Sequence, residues 1–185
     1  MIDKTLQDAE NRMKKTLTNT KNDLGKVRTG RANLSMLDSV KVDYYGSMTP
    51  LNQVANLGVP EPRLIVIQPW DKSMLGTIEK AIQKADLGIT RNNDGNVIRL
   101  PIPRLTEERR KDLVKVLHKM AEDGKVAIRN IRRDAIEDFR DAEKKSDISE
   151  DDKFAAEEEI QELTDTFVKK IDDLIKLKEK EVMEV

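Results

Sequence analysis

The 185-residue chain contains no cysteine, so neither a disulfide framework nor a thiolate metal site can form. It has no stretch approaching the ~18 consecutive apolar residues of a membrane span, and its N-terminus lacks the apolar run of a signal peptide. Aromatic residues make up only 3%, too few for a surface that stacks the bases of single-stranded RNA. These absences predict a cytoplasmic protein with no membrane partner.

Groups that carry catalysis are also scarce. His118 is the only histidine, and no cysteine exists to pair with it. The acidic runs at 150–152 and 157–159 spread consecutive carboxylates around a helix, so they do not converge on one ion. The chain has no glycine-rich loop with the spacing of a nucleotide site. We therefore expect a binding protein rather than an enzyme, with no catalytic residue, metal or cofactor.

Apolar residues recur at steps of three and four in three stretches, which predicts three long helices. The first covers residues 2–27 and is expected to stop near Thr29-Gly30, since glycine commonly ends a helix. The second runs from a cap at Thr106 to about Lys145, roughly 60 Å at 1.5 Å per residue.

The third helix is predicted to begin at Ser149, because Asp152 three positions on gives the spacing of a capping box with a shorter acid. Gly124 lies on the apolar seam of the second helix, where a missing side chain permits close approach by another helix. Such helices are not stable alone, because most helical stability comes from burying the apolar face. The three are therefore expected to form one bundle.

Between the first two helices the pattern changes to short strands and turns. Residues 40–45, 64–67 and 97–100 are strand-like, and residues 71–86 return to a helical pattern. All six prolines fall between positions 50 and 103, so the long helices are uninterrupted. This stretch predicts a separate small α/β domain.

The predicted fold class is α+β, a long three-helix bundle with the small domain inserted between its first and second helices. The bundle takes residues 1–30 and 105–185, and the insert takes residues 31–104. The two joins between the domains are placed at Gly30-Arg31 and Arg104-Leu105. In the alternative arrangement, the first helix packs on the sheet instead.

Charge is unevenly distributed along the chain, although the formal net charge is only −1. Residues 106–133 hold nine Lys and Arg against five acids, a net of +4. Residues 134–162 hold four bases against thirteen acids, a net of −9. This asymmetry favours one face built for an anionic partner and another kept away from it.

A stripe of basic residues lies on the second helix, formed by Lys125, Arg129, Arg132 and Arg133. At 100° per residue these positions share one face, opposite the apolar seam. Most charge runs on helices are only solvated faces. Two features favour a binding site here: arginine outnumbers lysine, and its planar fork suits phosphate. Acidic partners four residues away are also scarce, although Glu137 is placed to pair with Arg133.

Several separate motifs resemble the bacterial ribosome recycling factor family, in register from end to end. The residues that carry the resemblance are Val27–Ala32, Val42–Gly46, Glu79–Ile82, Ala85–Gly88, Leu105–Leu113, Arg129–Asp134 and Ile148–Asp152. The resemblance implies a β/α/β insert joined to the bundle by two flexible linkers, so that Gly30, Arg31, Arg104 and Leu105 form a hinge. We also expect a monomer.

The resemblance further implies a function. Members bind the post-termination 70S ribosome and, with elongation factor G and GTP, split it into subunits, so that messenger and deacylated transfer RNA leave. The bundle is then expected to contact ribosomal RNA of the large subunit. The alternative is a helical protein-binding adaptor or co-chaperone.

Candidate RNA-contacting residues follow from the same motifs. Arg132 ranks first, Arg129 and Arg133 come next, and Arg110 matches a further basic position. Arg28 flanks the hinge together with Arg31, where they support either hinge geometry or RNA contact.

Overall fold

The computed structural model describes residues 1–184. Within that range there are four α-helices and six β-strands. The helices are α1 (Ile2–Lys26), α2 (Leu75–Lys84), α3 (Glu107–Lys144) and α4 (Glu150–Met183). The strands are β1 (Lys41–Tyr44), β2 (Ser47–Pro50), β3 (Ala55–Glu61), β4 (Leu64–Pro69), β5 (Asn92–Asn93) and β6 (Ile98–Pro101).

The chain forms two compact units. One consists of Met1–Arg28 and Glu107–Glu184, and the other of Thr29–Thr106. The first unit is a bundle in which α1, α3 and α4 each pack against the other two. The predicted α+β class, with its long three-helix bundle, is confirmed, and α1 packs on helices rather than on a sheet.

The core of the bundle is built from the predicted seams. Its fully buried side chains include Met13 of α1, Leu117, Ile128 and Phe139 of α3, and Ile160, Phe167 and Ile171 of α4. The helix α3 contains 38 residues, about 57 Å at 1.5 Å per residue. Burial of the seams on all three helices supplies the stability that a single helix of this kind lacks.

At Gly124 of α3 the two neighbouring helices of the bundle come close to the backbone. A Cβ atom added there would lie 2.7 Å from Oγ1 of Thr20 on α1 and 3.2 Å from Cδ1 of Ile171 on α4. Real Cβ atoms essentially never have a neighbour at 2.7 Å. The close approach predicted for this glycine is therefore confirmed, and two neighbouring helices share it.

The helix ends differ in how well the sequence predicted them. The helix α1 stops at Lys26, because Val27 already has an extended backbone (φ −72°, ψ 122°), so the predicted stop near Thr29-Gly30 lies about three residues too late. Gly30 has a φ of 79° and belongs to the segment that follows the helix. At the start of α4, the predicted capping box is present between Ser149 and Asp152.

The second unit contains a two-stranded antiparallel sheet, β1–β2, and a four-stranded antiparallel sheet in the order β3-β4-β6-β5. Its core joins alternate residues of β4 and β6 to the apolar face of α2. The fully buried members of that core include Val42, Ile65, Ile67, Ile78, Ile98 and Leu100.

Three strands of this unit were missed by the sequence prediction. The strand β2 has no buried residue and β5 has only two residues, so neither shows an apolar alternation. The strand β3 contains Gly58 and Pro60, which indicate a turn in a sequence. Pro60 is tolerated because β3 is an edge strand, where a missing N–H costs no ladder bond. The helix predicted over 71–86 begins with a 3-10 turn, and α2 itself covers Leu75–Lys84.

We predict that Gly124→Ala destabilises the bundle. Overpacking a close contact costs about 1–3 kcal/mol, which outweighs the ~1 kcal/mol that alanine gains over glycine in a helix. We expect a net loss of about 1 kcal/mol in the free energy of unfolding, measured by urea denaturation. Gly25→Ala is the matched control, since a Cβ there meets nothing within 4 Å and keeps the helical gain. A Gly124→Ala protein as stable as the unaltered chain would contradict the close-packing account.

We predict that the capping box makes the stability of α4 depend on pH. The Ser149 hydroxyl and then its backbone N–H, both donating to Asp152, hold the pKa of that carboxyl below its ordinary value of 3.8. The stability that the ionised Asp152 carboxylate adds is therefore fully present above pH 3.8, and it is lost as the pH falls through the lower pKa of the folded state. Ser149→Ala should lower the free energy of unfolding by about 1 kcal/mol at pH 7. The difference between the two proteins should shrink below pH 3.8, and an unchanged difference would refute the role of the Asp152 charge.

Candidate nucleic-acid interface

The basic face of α3 consists of Lys125, Arg129, Arg132 and Arg133. The neighbouring positions 128, 131 and 135 are buried in the core of the bundle. A helix turns 100° per residue, so the four basic residues lie on the side of α3 that faces away from the core or at the edge of that side. Arg129 and Arg133 are exposed, whereas Arg132 is half-buried beside α4.

Arg132 is held by a residue of another helix. Its Nη1 donates a hydrogen bond of 2.8 Å to Oε1 of Gln161 on α4. The Nε2 atom of Gln161 in turn donates to Oδ1 of Asp165 at 2.8 Å. The immediate partner of the guanidinium is thus a neutral amide, and the positive charge of Arg132 is not cancelled by that contact.

Arg133 also has an amide partner. Its Nη2 donates to Oδ1 of Asn130 at 2.9 Å. The predicted pairing with Glu137 is wrong, since no ion pair within 4.0 Å joins the two among the residues described. The physical reason is direction: long side chains on a helix point back toward its N-terminus, so Arg133 reaches the preceding turn rather than the following one.

Arg129 differs from its two neighbours because its partner is acidic. Its Nη1 lies 2.8 Å from Oε1 of Glu122, seven residues earlier in α3. Seven residues are almost two full turns, so the two side chains lie on the same face. The sequence prediction considered only partners four residues away and missed this pair. Both side chains are about half exposed, so the ion pair is worth little in water and can exchange.

Lys125 belongs to the packing between helices rather than to the open surface. Its Nζ forms an ion pair with Asp172 of α4, and only 19% of its side chain is exposed. The basic face therefore has two parts. Lys125 and Arg129 are paired with carboxylates, whereas Arg132 and Arg133 are paired with amides.

An open groove runs along α3 beside the arginines. Its lining includes the guanidinium groups of Arg129, Arg132, Arg133 and Arg140, the apolar side chains of Val126 and Ile136, and the carboxylates of Glu137 and Asp141. The basic groups outnumber the carboxylates and stand beside apolar side chains, an arrangement that suits the phosphates and sugars of a nucleic-acid backbone.

The remaining predicted site residues lie elsewhere. Arg110 is half-buried, and its Nη1 donates to the backbone carbonyl of Met183 at 3.3 Å. It precedes Arg129 by 19 residues, about 28 Å along the helix, so it is a separate position. Arg28 is exposed at the end of the bundle unit. Of the predicted hinge residues, Gly30 is buried, Leu105 is half-buried, and Arg31 and Arg104 are exposed.

Sequence reasoning missed Gln161 and Asp165. Nothing in α3 indicates them, because the contact joins residues 29 positions apart. The imidazole of the lone histidine, His118, contacts the carboxylate of Glu179 on α4. Over residues 1–184, no cluster of three or more histidine and acidic side chains could hold a metal ion. No helix in that range is both long and apolar enough to cross a membrane.

Fold and site together define a two-unit α+β protein whose long helical bundle has an arginine-bearing face suited to phosphates. Comparison with known proteins narrows this class to one family. Residues 20–183 match the family model described as ribosome recycling factor, and the chain belongs to that family.

Relatives match over their full length. The ribosome-recycling factor of Syntrophomonas wolfei is 58% identical over 185 residues, all of both chains. That of Bacillus subtilis is 54% identical over the same span. A solution structure of the ribosome recycling factor is 43% identical with a TM-score of 0.78, covering 100% of this chain and 98% of that one. A further match has a TM-score of 0.66, 44% identity and 98% coverage of both chains. It comes from models for the T. thermophilus ribosome recycling factor and the E. coli elongation factor G bound to the E. coli post-termination complex.

Proposed function

We propose that this protein is a ribosome recycling factor. It binds the post-termination 70S ribosome and, with elongation factor G and GTP, splits it into subunits, which frees messenger and deacylated transfer RNA. The observation that carries the proposal is full-length identity of 58% and 54% to ribosome-recycling factors. A matched structure that contains elongation factor G on a post-termination complex supports the choice of partners.

The proposed partner of the basic face is the ribosomal RNA of the large subunit. Each arginine that neutralises a phosphate releases condensed counterions. The logarithm of the binding constant therefore falls linearly as the logarithm of the salt concentration rises. Arg132 and Arg133 serve this purpose best, because their amide partners leave the charge available. Arg129 contributes after exchanging Glu122 for a phosphate. Arg110 and Arg28 are proposed as additional contacts at other positions.

The protein is proposed to act mechanically rather than as an enzyme. Elongation factor G supplies GTP hydrolysis, and the bundle provides a long stiff element anchored to RNA. The proposed location is the cytoplasm, because the protein is proposed to act on ribosomes. The alternative, a helical protein-binding adaptor or co-chaperone, predicts binding that is insensitive to Arg132 and only weakly dependent on salt.

We predict that this protein lowers the light scattering of post-termination ribosomes when elongation factor G and GTP are present.

Arg132→Gln should weaken ribosome binding about 10- to 100-fold, the factor for losing one charge-assisted hydrogen bond. Arg12→Gln is the matched control, an arginine of α1 with 46% of its side chain exposed and a partner, Asp134, within the bundle. Unchanged light scattering with active purified components would contradict the proposed function. Equal losses of ribosome affinity in Arg132→Gln and Arg12→Gln would show that the basic face has no special role in binding.

A second prediction concerns the hinge proposed at Gly30, Arg31, Arg104 and Leu105. Since the chain has no cysteine, one cysteine introduced into each connection gives a single possible disulfide. The pair should be chosen with Cβ atoms within about 4.5 Å of each other. We expect the oxidised protein to bind ribosomes normally but not to split them, and a reducing agent should restore splitting. Undiminished splitting by the oxidised protein would show that no hinge motion is needed.

A further inference from the structure

We propose that Gln161 and Asp165 of α4 are positioning residues for Arg132, and that they hold its guanidinium without neutralising its charge. This inference rests on the proposed function, since it assigns a role in the same binding face. It extends that face from α3 to α4, whose sequence shows no cluster of basic residues at this point.

The orientation of the Gln161 amide is fixed from both sides. Arg132 only donates hydrogen bonds, so it can bind only the oxygen of the amide. The carboxylate of Asp165 only accepts, so it can bind only the nitrogen. Both contacts are 2.8 Å long and require the same orientation of the amide. Gln161 and Asp165 are four residues apart, a spacing at which such pairs face each other along a helix.

A neutral partner distinguishes Arg132, like Arg133, from Lys125 and Arg129 on this face. Asp172 and Glu122 are carboxylates, so a phosphate that approaches Lys125 or Arg129 must compete with an existing anion. The amide of Gln161 orders the Arg132 side chain but adds no negative charge. One N–H of the guanidinium is occupied, and the others remain for a two-point contact with phosphate.

Prior ordering raises affinity because a flexible side chain otherwise loses its rotamer freedom on binding. Arginine has one of the most flexible side chains, so the gain is larger here than for a short residue. Gln161→Leu removes the acceptor and keeps a similar volume. We expect it to weaken ribosome binding about 3- to 10-fold, the range for one side chain that must be ordered on binding. The salt dependence should not change, because the number of phosphates contacted is the same.

Three comparisons separate positioning from a general structural effect. Arg132→Gln should lower the slope of log affinity against log salt by about one. In an Arg132→Gln background, Gln161→Leu should have no further effect, because its target is gone. Gln7→Leu is the matched control, since Gln7 is an exposed glutamine of α1 that bonds only to Glu10 and Asn11 on its own helix.

Gln161→Glu tests the neutrality of the partner separately from its geometry. A glutamate at this position still accepts from Arg132 but adds a negative charge beside it. We expect it to lower the salt slope by about one, as if Arg132 were absent. Gln161→Leu, in contrast, lowers the affinity but does not change the slope of log affinity against log salt. Asp165→Asn keeps an oxygen that accepts from Gln161 and should bind ribosomes no more weakly than the unaltered chain.

A measurement on the free protein removes the dependence on the ribosome. Nitrogen-15 relaxation of the Arg132 Nε–H group should report a restricted side chain in the unaltered protein and a mobile one in Gln161→Leu. Equal mobility in both would overturn the proposal, as would ribosome binding by Gln161→Leu equal to that of the unaltered chain. A Gln161→Leu effect that persists in the Arg132→Gln background would also overturn it. If the unaltered chain does not bind ribosomes, the proposed function fails and this inference fails with it.

Discussion

The structure of the bundle depends on the mutual burial of three apolar seams, because a long helix with one seam is not stable alone in water. The seams come close together at Gly124, where the absence of a side chain leaves room for Thr20 of α1 and Ile171 of α4. This packing decides which surface residues become neighbours. It brings Gln161 of α4 to Arg132 and Asp172 to Lys125 on α3, so the core determines the chemistry of the basic face.

The basic face is better described by the partners of its cations than by its net charge. Four cations lie close together on α3, yet two of them are paired with carboxylates and two with amides. An exposed ion pair adds little stability and weakens the attraction of a cation for phosphate. An amide partner orders a guanidinium and preserves its charge. A chain with a formal charge of only −1 can therefore present a local surface that suits phosphates.

The sequence predicted what is periodic or local along the chain. Helical spacing predicted the seams, because apolar residues three or four positions apart lie on one face of a helix. The spacing of Ser149 and Asp152 predicted the capping box, because that interaction joins residues three positions apart. The strands β2, β3 and β5 were missed because they are short, exposed or interrupted by proline and glycine at a sheet edge. The link from Arg132 to Gln161 could not be found from spacing, because it depends on how two helices pack.

The central claim is that the basic face of α3, with Arg132 held by Gln161, is the surface that contacts large-subunit RNA. A cryo-electron microscopy structure of this chain on a post-termination ribosome tests it most directly. The account predicts the guanidinium of Arg132 at about 3 Å from a phosphate oxygen of that RNA, with Gln161 still accepting its hydrogen bond. A bound factor whose basic face points into solvent, or contacts only protein, would contradict the account.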